Sequence, residues 1–183
     1  MLELKRRCQS ISCNTFSLFA PYQLFVRCGE WNRYEASEHK RHQDRDVKYK
    51  SDHPRYSGLQ RVENDISLLH LTEEFNLDSH LDTVCLPELV DNREDNYDKE
   101  NCVVMGWGKK AFNVRRPQNV LKQVSLPIVD NNVCQNLLRR TRLGPRFDLD
   151  ESFLCAGGNI NADACTGDGG GSLVCPSKKD SDK

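Results

Sequence analysis

The chain has 183 residues, with 26 Lys and Arg against 27 Asp and Glu, so a formal net charge of −1 gives no overall field for attracting nucleic acid or an anionic membrane. Charged residues make up 29% with both signs interspersed and aromatics make up 8%, which excludes wholesale disorder and leaves one domain able to build a core, divisible into two sub-barrels. Nine cysteines with no C-x-x-C pair exclude zinc-ribbon and thioredoxin readings and point to a disulfide framework in an oxidising compartment, with at least one sulfur free or paired outside the chain.

Lys5, Arg6 and Arg7 resemble the basic end of a signal peptide, but "CQSISCNTFSLFAPYQ" is too polar and too broken by Pro21 for its apolar region. No signal peptide is therefore visible, and Met1 reads as an internal start. No apolar run approaches the ~18 residues of a transmembrane helix. Residues 1–22 receive no assignment.

From residue 23 onward the strand signals are short and separated by polar turns. "QLFVRCGEW" (23–31), "DVKYK" (46–50), "DISLLHL" (65–71), "CVVMGWG" (102–108) and "VLKQVSLPIV" (120–129) mix β-branched and aromatic residues with polar ones, which predicts an all-β barrel or sandwich. The charged, apolar-poor stretch 86–101 reads as a linker between halves at 23–85 and 102–176, and 177–183 as a polar tail. One helix is predicted at about 130–141, capped by Asp130 or Asn131, with Val133, Leu137 and Leu138 on one face. Arg139, Arg140 and Arg142 crowd its end. They read first as a solvated face that complements the helix dipole, and a heparin or acidic-partner site is the sharper alternative.

Five motifs then fall in one order: "NDISLLHL" (64–71), "CLPE" (85–88), "CVVMGWGK" (102–109), "SFLCAGG" (152–158) and "DACTGDGGGSLVC" (163–175). Together they resemble the trypsin-like serine proteases over about residues 23–176. "VRCGEW" (26–31), "HQDRDV" (42–47), "CQNLLRRTRLG" (134–144) and the final "LVCP" (173–176) are similar to a narrower group, the non-catalytic, masquerade-like homologues that accompany clip-domain proteases in arthropods.

This resemblance implies a chymotrypsin-like double β-barrel, incomplete at both ends, with one short helix. It implies an extracellular, secreted cofactor of a proteolytic immune cascade such as prophenoloxidase activation, with a clip-domain protease and prophenoloxidase as partners and neither nucleic acid nor membrane. It also implies the bridges Cys102–Cys175 and Cys134–Cys155, a downstream partner for Cys165, and a tether from Cys85 to an upstream clip or light chain. Cys8, Cys13 and Cys28 stay unassigned.

In the same register Asp65 stands for the triad aspartate and Gly169 for the nucleophilic serine. Acyl transfer needs a nucleophile, a base and an orienting carboxylate together, and glycine has no side chain to attack with. Thr166 and Ser172 lie three positions away on either side. The family's histidine would precede "VRCGEW", yet residues 1–25 contain no histidine, and His39, His42, His53 and His70 read as surface or structural residues. The chain is therefore expected not to be an enzyme.

Gly167 and Gly169 could still offer an oxyanion-hole-like pair of N–H groups. Asp163 matches the base of the primary specificity pocket, and Asp168 the aspartate that receives the amine freed on zymogen cleavage. No organic cofactor is implied. Calcium is a candidate ligand of Glu30 with Glu35 or Glu38, in a loop that also reads as ordinary charged surface. The rival readings are an active trypsin-like endopeptidase with a damaged sequence, and a surface-recognition or adhesion module on the same fold.

Overall fold

A computed structural model describes residues 20–34, 39–86, 97–111, 113–159 and 162–178. A 3-10 turn at Pro21–Gln23 leads into β1 (Phe25–Cys28), which pairs antiparallel with β2 (Gln43–Asp52). β3 (Ser67–Leu71) pairs with the other edge of β2, giving the order β1-β2-β3. β2 starts at Gln43, earlier than its apolar pattern suggests. The Gln43 side chain exchanges two bonds with the Asn76 backbone, and the Arg45 Nε–H donates to the Glu74 carbonyl at 2.7 Å. Polar residues here join a strand because they satisfy the neighbouring loop's backbone groups. A bulge between Val47 and Tyr49 then sets Tyr49 opposite His70, and the two rings stack with centroids 4.0 Å apart.

The second sheet has β4 (Val103–Gly106) between β5 (Lys122–Ser125) and β8 (Leu173–Val174). The segment expected as one strand over 120–129 divides at Pro127, which has no N–H for a ladder. The Leu126 N–H turns to the Cys102 carbonyl, and β6 (Ile128–Val129) pairs instead with β7 (Cys155–Ala156). None of the three sheets is closed into a barrel among the described residues.

The helix α1 spans Asn131–Leu138, shorter than expected, with Asp130 as its cap: the carboxylate accepts the N–H groups of Asn132 and Val133. Its buried residue is Cys134, whereas Val133 and Leu137 are exposed. Leu138, the third residue of the expected apolar face, is half-buried. The Cys134–Cys155 bridge anchors the helix to β7 through Cys134.

A second bridge, Cys102–Cys175, staples the start of β4 to the end of β8. Cys28 is also disulfide-bonded, and Cys85 and Cys165 are free thiols, the former exposed. The buried apolar residues fall into two groups, Leu24, Cys28, Val47 and Leu81 in the first half and Cys102, Met105, Leu126 and Cys134 in the second.

Residues 31–33 tie the halves together. The Trp31 carbonyl accepts both the Leu121 N–H at 2.9 Å and the Trp107 indole N–H at 3.2 Å, while the Arg33 N–H donates to Asn119. Of the expected linker, residues 87–96 lie outside the described residues, as do 1–19 of the unassigned segment and 179–183 of the tail. Tyr97 and Asp98 pair onto Ser177 and Pro176, so the chain enters the second half beside the segment that follows β8.

These ties set two expectations for stability. The bridges close loops of 73 and 21 residues, worth about 4.5 and about 3 kcal/mol in the chain-entropy model. Serine pairs replacing each should lower unfolding free energy in that order in urea titrations. The Arg27 guanidinium grips both Asp44 oxygens at 2.7 Å, and that hydrogen bonding holds the Asp44 carboxyl below its ordinary range. A depressed carboxylate contributes stability above its unfolded pKa of about 3.9 and loses it as pH falls through the folded value. The pair is well exposed, so Asp44→Asn should cost under about 1 kcal/mol at neutral pH, with the gap to the parent closing in acid.

Candidate functional site

The loop between Cys165 and Leu173 is built around one carboxylate. Asp168 Oδ1 accepts the Gly108 N–H at 2.8 Å, and Oδ2 accepts the Cys165 N–H at 2.9 Å. Around it the Asp168 N–H donates to Cys165, Gly171 donates to Asp168, and Lys109 donates to Thr166. A carboxylate that accepts two backbone N–H bonds forms strong, charge-assisted contacts and fixes both segments.

The glycines of this region answer different demands. Gly106 and Gly108 are buried, and a Cβ built on either would overlap the Asp168 carboxylate. They are two apart on one extended segment and share a face, which their missing side chains leave open for Asp168. Gly167 has φ +100°, where an L side chain is strained, and its own Cβ would lie 3.2 Å from the Gly108 Cα. Gly169 is exposed, and a Cβ added there meets nothing within 4 Å. No steric demand of the fold requires glycine at 169.

The other candidate residues are dispersed. Asp65 lies just before β3, after Asn64, whose φ of +56° and N–H bond to the Ser152 hydroxyl shape the turn. His42 Nδ1 sits 3.1 Å from Glu30, His53 Nδ1 accepts the Arg55 N–H, and His39 is exposed. His70 stacks on Tyr49 with Nε2 3.5 Å from the Ser51 hydroxyl. His80 meets the Arg41 carbonyl through Nε2. Asp163 is exposed and has no ion-pair partner among the described residues, and Gly167 is exposed at the rim of the same loop.

Glu30, the calcium candidate, has its carboxylate mostly covered and turned to Arg27 and His42. Glu35 and Glu38 lie outside the described residues, within which no three His, Cys, Asp or Glu side chains gather to hold a metal. Among the described residues, no helix is long and apolar enough to cross a membrane.

This loop, with its glycine-flanked carboxylate and a bridge at its strand, coincides with a family match. The trypsin profile covers residues 19–179. The chain belongs to the trypsin family. Its strand-dominated architecture with one short helix is that family's chymotrypsin-like fold, seen here with open sheets.

Among curated relatives, phenoloxidase-activating factor 2 of Galleria mellonella is 42% identical over 154 residues, which cover 84% of this chain and 50% of that protein. Inactive CLIP domain-containing serine protease A8 of Anopheles gambiae is 41% identical over 157 residues, 85% of this chain and 41% of that protein. Serine proteinase stubble of Drosophila melanogaster is 33% identical over 85% of this chain and 19% of its own length. The chain spans half or less of the length of these relatives.

The glycine pair at 106 and 108 is the functional feature least visible in the sequence. The available signal is two side-chain-free residues two apart at a strand's end, which announces an occupant on that face without naming it. The contrast with Gly169 can be tested on stability. Gly108→Ala should destabilise by about 1–3 kcal/mol through overpacking. Gly169→Ala, on open surface, should fall within about 0.5 kcal/mol of the parent. Urea midpoints of the two variants decide it.

Proposed function

We propose that this chain is a catalytically silent trypsin-family domain that works by binding partners in an extracellular proteolytic cascade. One observation carries the reading. Gly169 occupies the nucleophile's place in the family motif, exposed, in a loop otherwise fully braced by Asp168. Space for a serine is present, and the hydroxyl is not. Asp65 would be the surviving triad carboxylate, and residues 1–25 supply no histidine at the family's position for it to orient.

Gly167 and Gly169 would offer N–H groups to an oxyanion that never forms. Asp163, exposed rather than enclosed, attracts a basic side chain only weakly through water. Asp168 spends both oxygens on backbone N–H groups, which keeps the loop shaped without an incoming amine.

The names of the relatives support the same reading: several are called inactive CLIP domain-containing serine proteases, and another a phenoloxidase-activating factor. A clip-domain protease and prophenoloxidase are accordingly the proposed partners. Disulfides such as Cys102–Cys175 and Cys134–Cys155 fit an oxidising, extracellular setting. The exposed free thiol of Cys85 suits a bridge to a second chain.

The decisive experiment is to restore the visible lesion. Gly169→Ser should fold and stay at background in hydrolysis of an arginine ester, because an unassisted serine hydroxyl is a poor nucleophile. Loss of triad function costs about 10⁴–10⁶ in kcat. Turnover by the parent chain would overturn the proposal outright. Turnover by Gly169→Ser that a serine-directed phosphonate abolishes would reveal a working base, and the missing histidine would no longer count as a second lesion.

A further inference from the structure

The arginines after α1 are not accounted for by any site described above. The helix ends at Leu138 with Arg139 as its C-cap, so the arginines follow its last turn. Arg139 is structural, since its Nε–H donates to the Phe147 carbonyl at 2.8 Å and closes residues 139–147 into a loop. Inside it, N–H bonds from Arg140 to Leu137, Thr141 to Leu138, Gly144 to Thr141 and Phe147 to Gly144 form successive turns. The Thr141 hydroxyl adds a bond to Leu138, and the Gln135 side chain accepts the Leu149 N–H at 2.7 Å. The backbone is therefore held in one shape before any partner arrives.

Arg140, Arg142 and Arg146 project from this closed loop, all exposed. None has an acidic side chain within ion-pair distance among the described residues. The nearby acids are turned away from them or stand apart. Asp150 accepts the Ser152 N–H, Glu151 faces Arg55 at 3.8 Å, and Asp148 is exposed with no basic partner among the described residues. Beside the arginines, Leu143 is 43% and Leu137 53% exposed.

We infer that this loop is a docking surface for an acidic, amphipathic peptide segment of a partner protein. Three arginines and no lysine favour carboxylates, which the guanidinium fork engages at two points. The fixed backbone lowers the ordering cost of binding. The exposed leucines separate the two polyanion classes: an acidic peptide can bury an apolar side chain against Leu143, while a sulfated polysaccharide has none to offer. The surface is distinct from the 163–171 loop and stands whether or not that loop is catalytic.

The test uses the full 183-residue chain and three labelled probes: a glutamate-rich peptide with one central leucine, the same peptide with serine there, and a heparin oligosaccharide. Anisotropy titrations should show the leucine peptide binding, with affinity falling as salt rises. Its affinity should drop about tenfold or more in Arg140→Ala/Arg142→Ala/Arg146→Ala, and several-fold in Leu143→Ser or with the serine peptide. An unchanged urea midpoint would confirm that the variants fold. Equal affinity of parent and triple variant for the peptide would overturn the inference, as would absence of peptide binding. Heparin binding that depends on the arginines, with indifference to the leucine on either side, would assign the surface to polysaccharide instead.

Discussion

The Asp168 carboxylate is the contact on which the second half of the molecule is organised. It bonds the N–H groups of Gly108 and Cys165, at opposite ends of the space between β4 and the 163–171 loop. That single side chain dictates two absences elsewhere, at Gly106 and Gly108, because their side chains would claim the same volume. The Cys102–Cys175 bridge then fixes the far end of the β4–β8 pair. A covalent staple at one end and a charged clamp at the other leave the loop between them little freedom.

The first half depends on a different kind of clamp. Gly29, with φ +84°, turns the chain out of β1 over His80 and Leu81. Glu30 is held there by Arg27 and His42, and Arg27 reaches across to Asp44 on β2. The turn delivers Trp31 to the second half, where its carbonyl receives two N–H groups. Surface ion pairs of this kind contribute little energy each. Their value here is positional, since they set the angle at which the segment that carries Trp31 to the second half leaves the first sheet.

Much of this is legible in the sequence and some is not, for identifiable reasons. β1, β3 and β4 fall inside the segments predicted from apolar runs, and Asp130 caps the helix as its position before a periodic stretch implies. β2 extends beyond its apolar run because Gln43, Asp44 and Arg45 are polar, and their strand membership rests on bonds to residues about thirty positions away. The division at Pro127 follows from a missing donor and is readable from that residue alone. Which helix residue is most buried is not, since Cys134 is held against β7 by its bridge while Val133 and Leu137 are exposed. At the loop, the motif register locates Asp168 and Gly169. It cannot distinguish a glycine the fold demands from one that it merely accommodates.

That distinction bears on what kind of protein this is. If the loop's glycines were all structural, glycine at 169 would carry no functional meaning, since any other residue would break the fold. The geometry divides them: Gly106, Gly108 and Gly167 are enforced by overlap or by backbone angle, while Gly169 faces open space. Glycine at 169 is therefore a residue the fold accommodates without demanding it. The proposed binding role rests on that difference, since a surface that recognises a partner needs the loop's shape and has no use for a nucleophile.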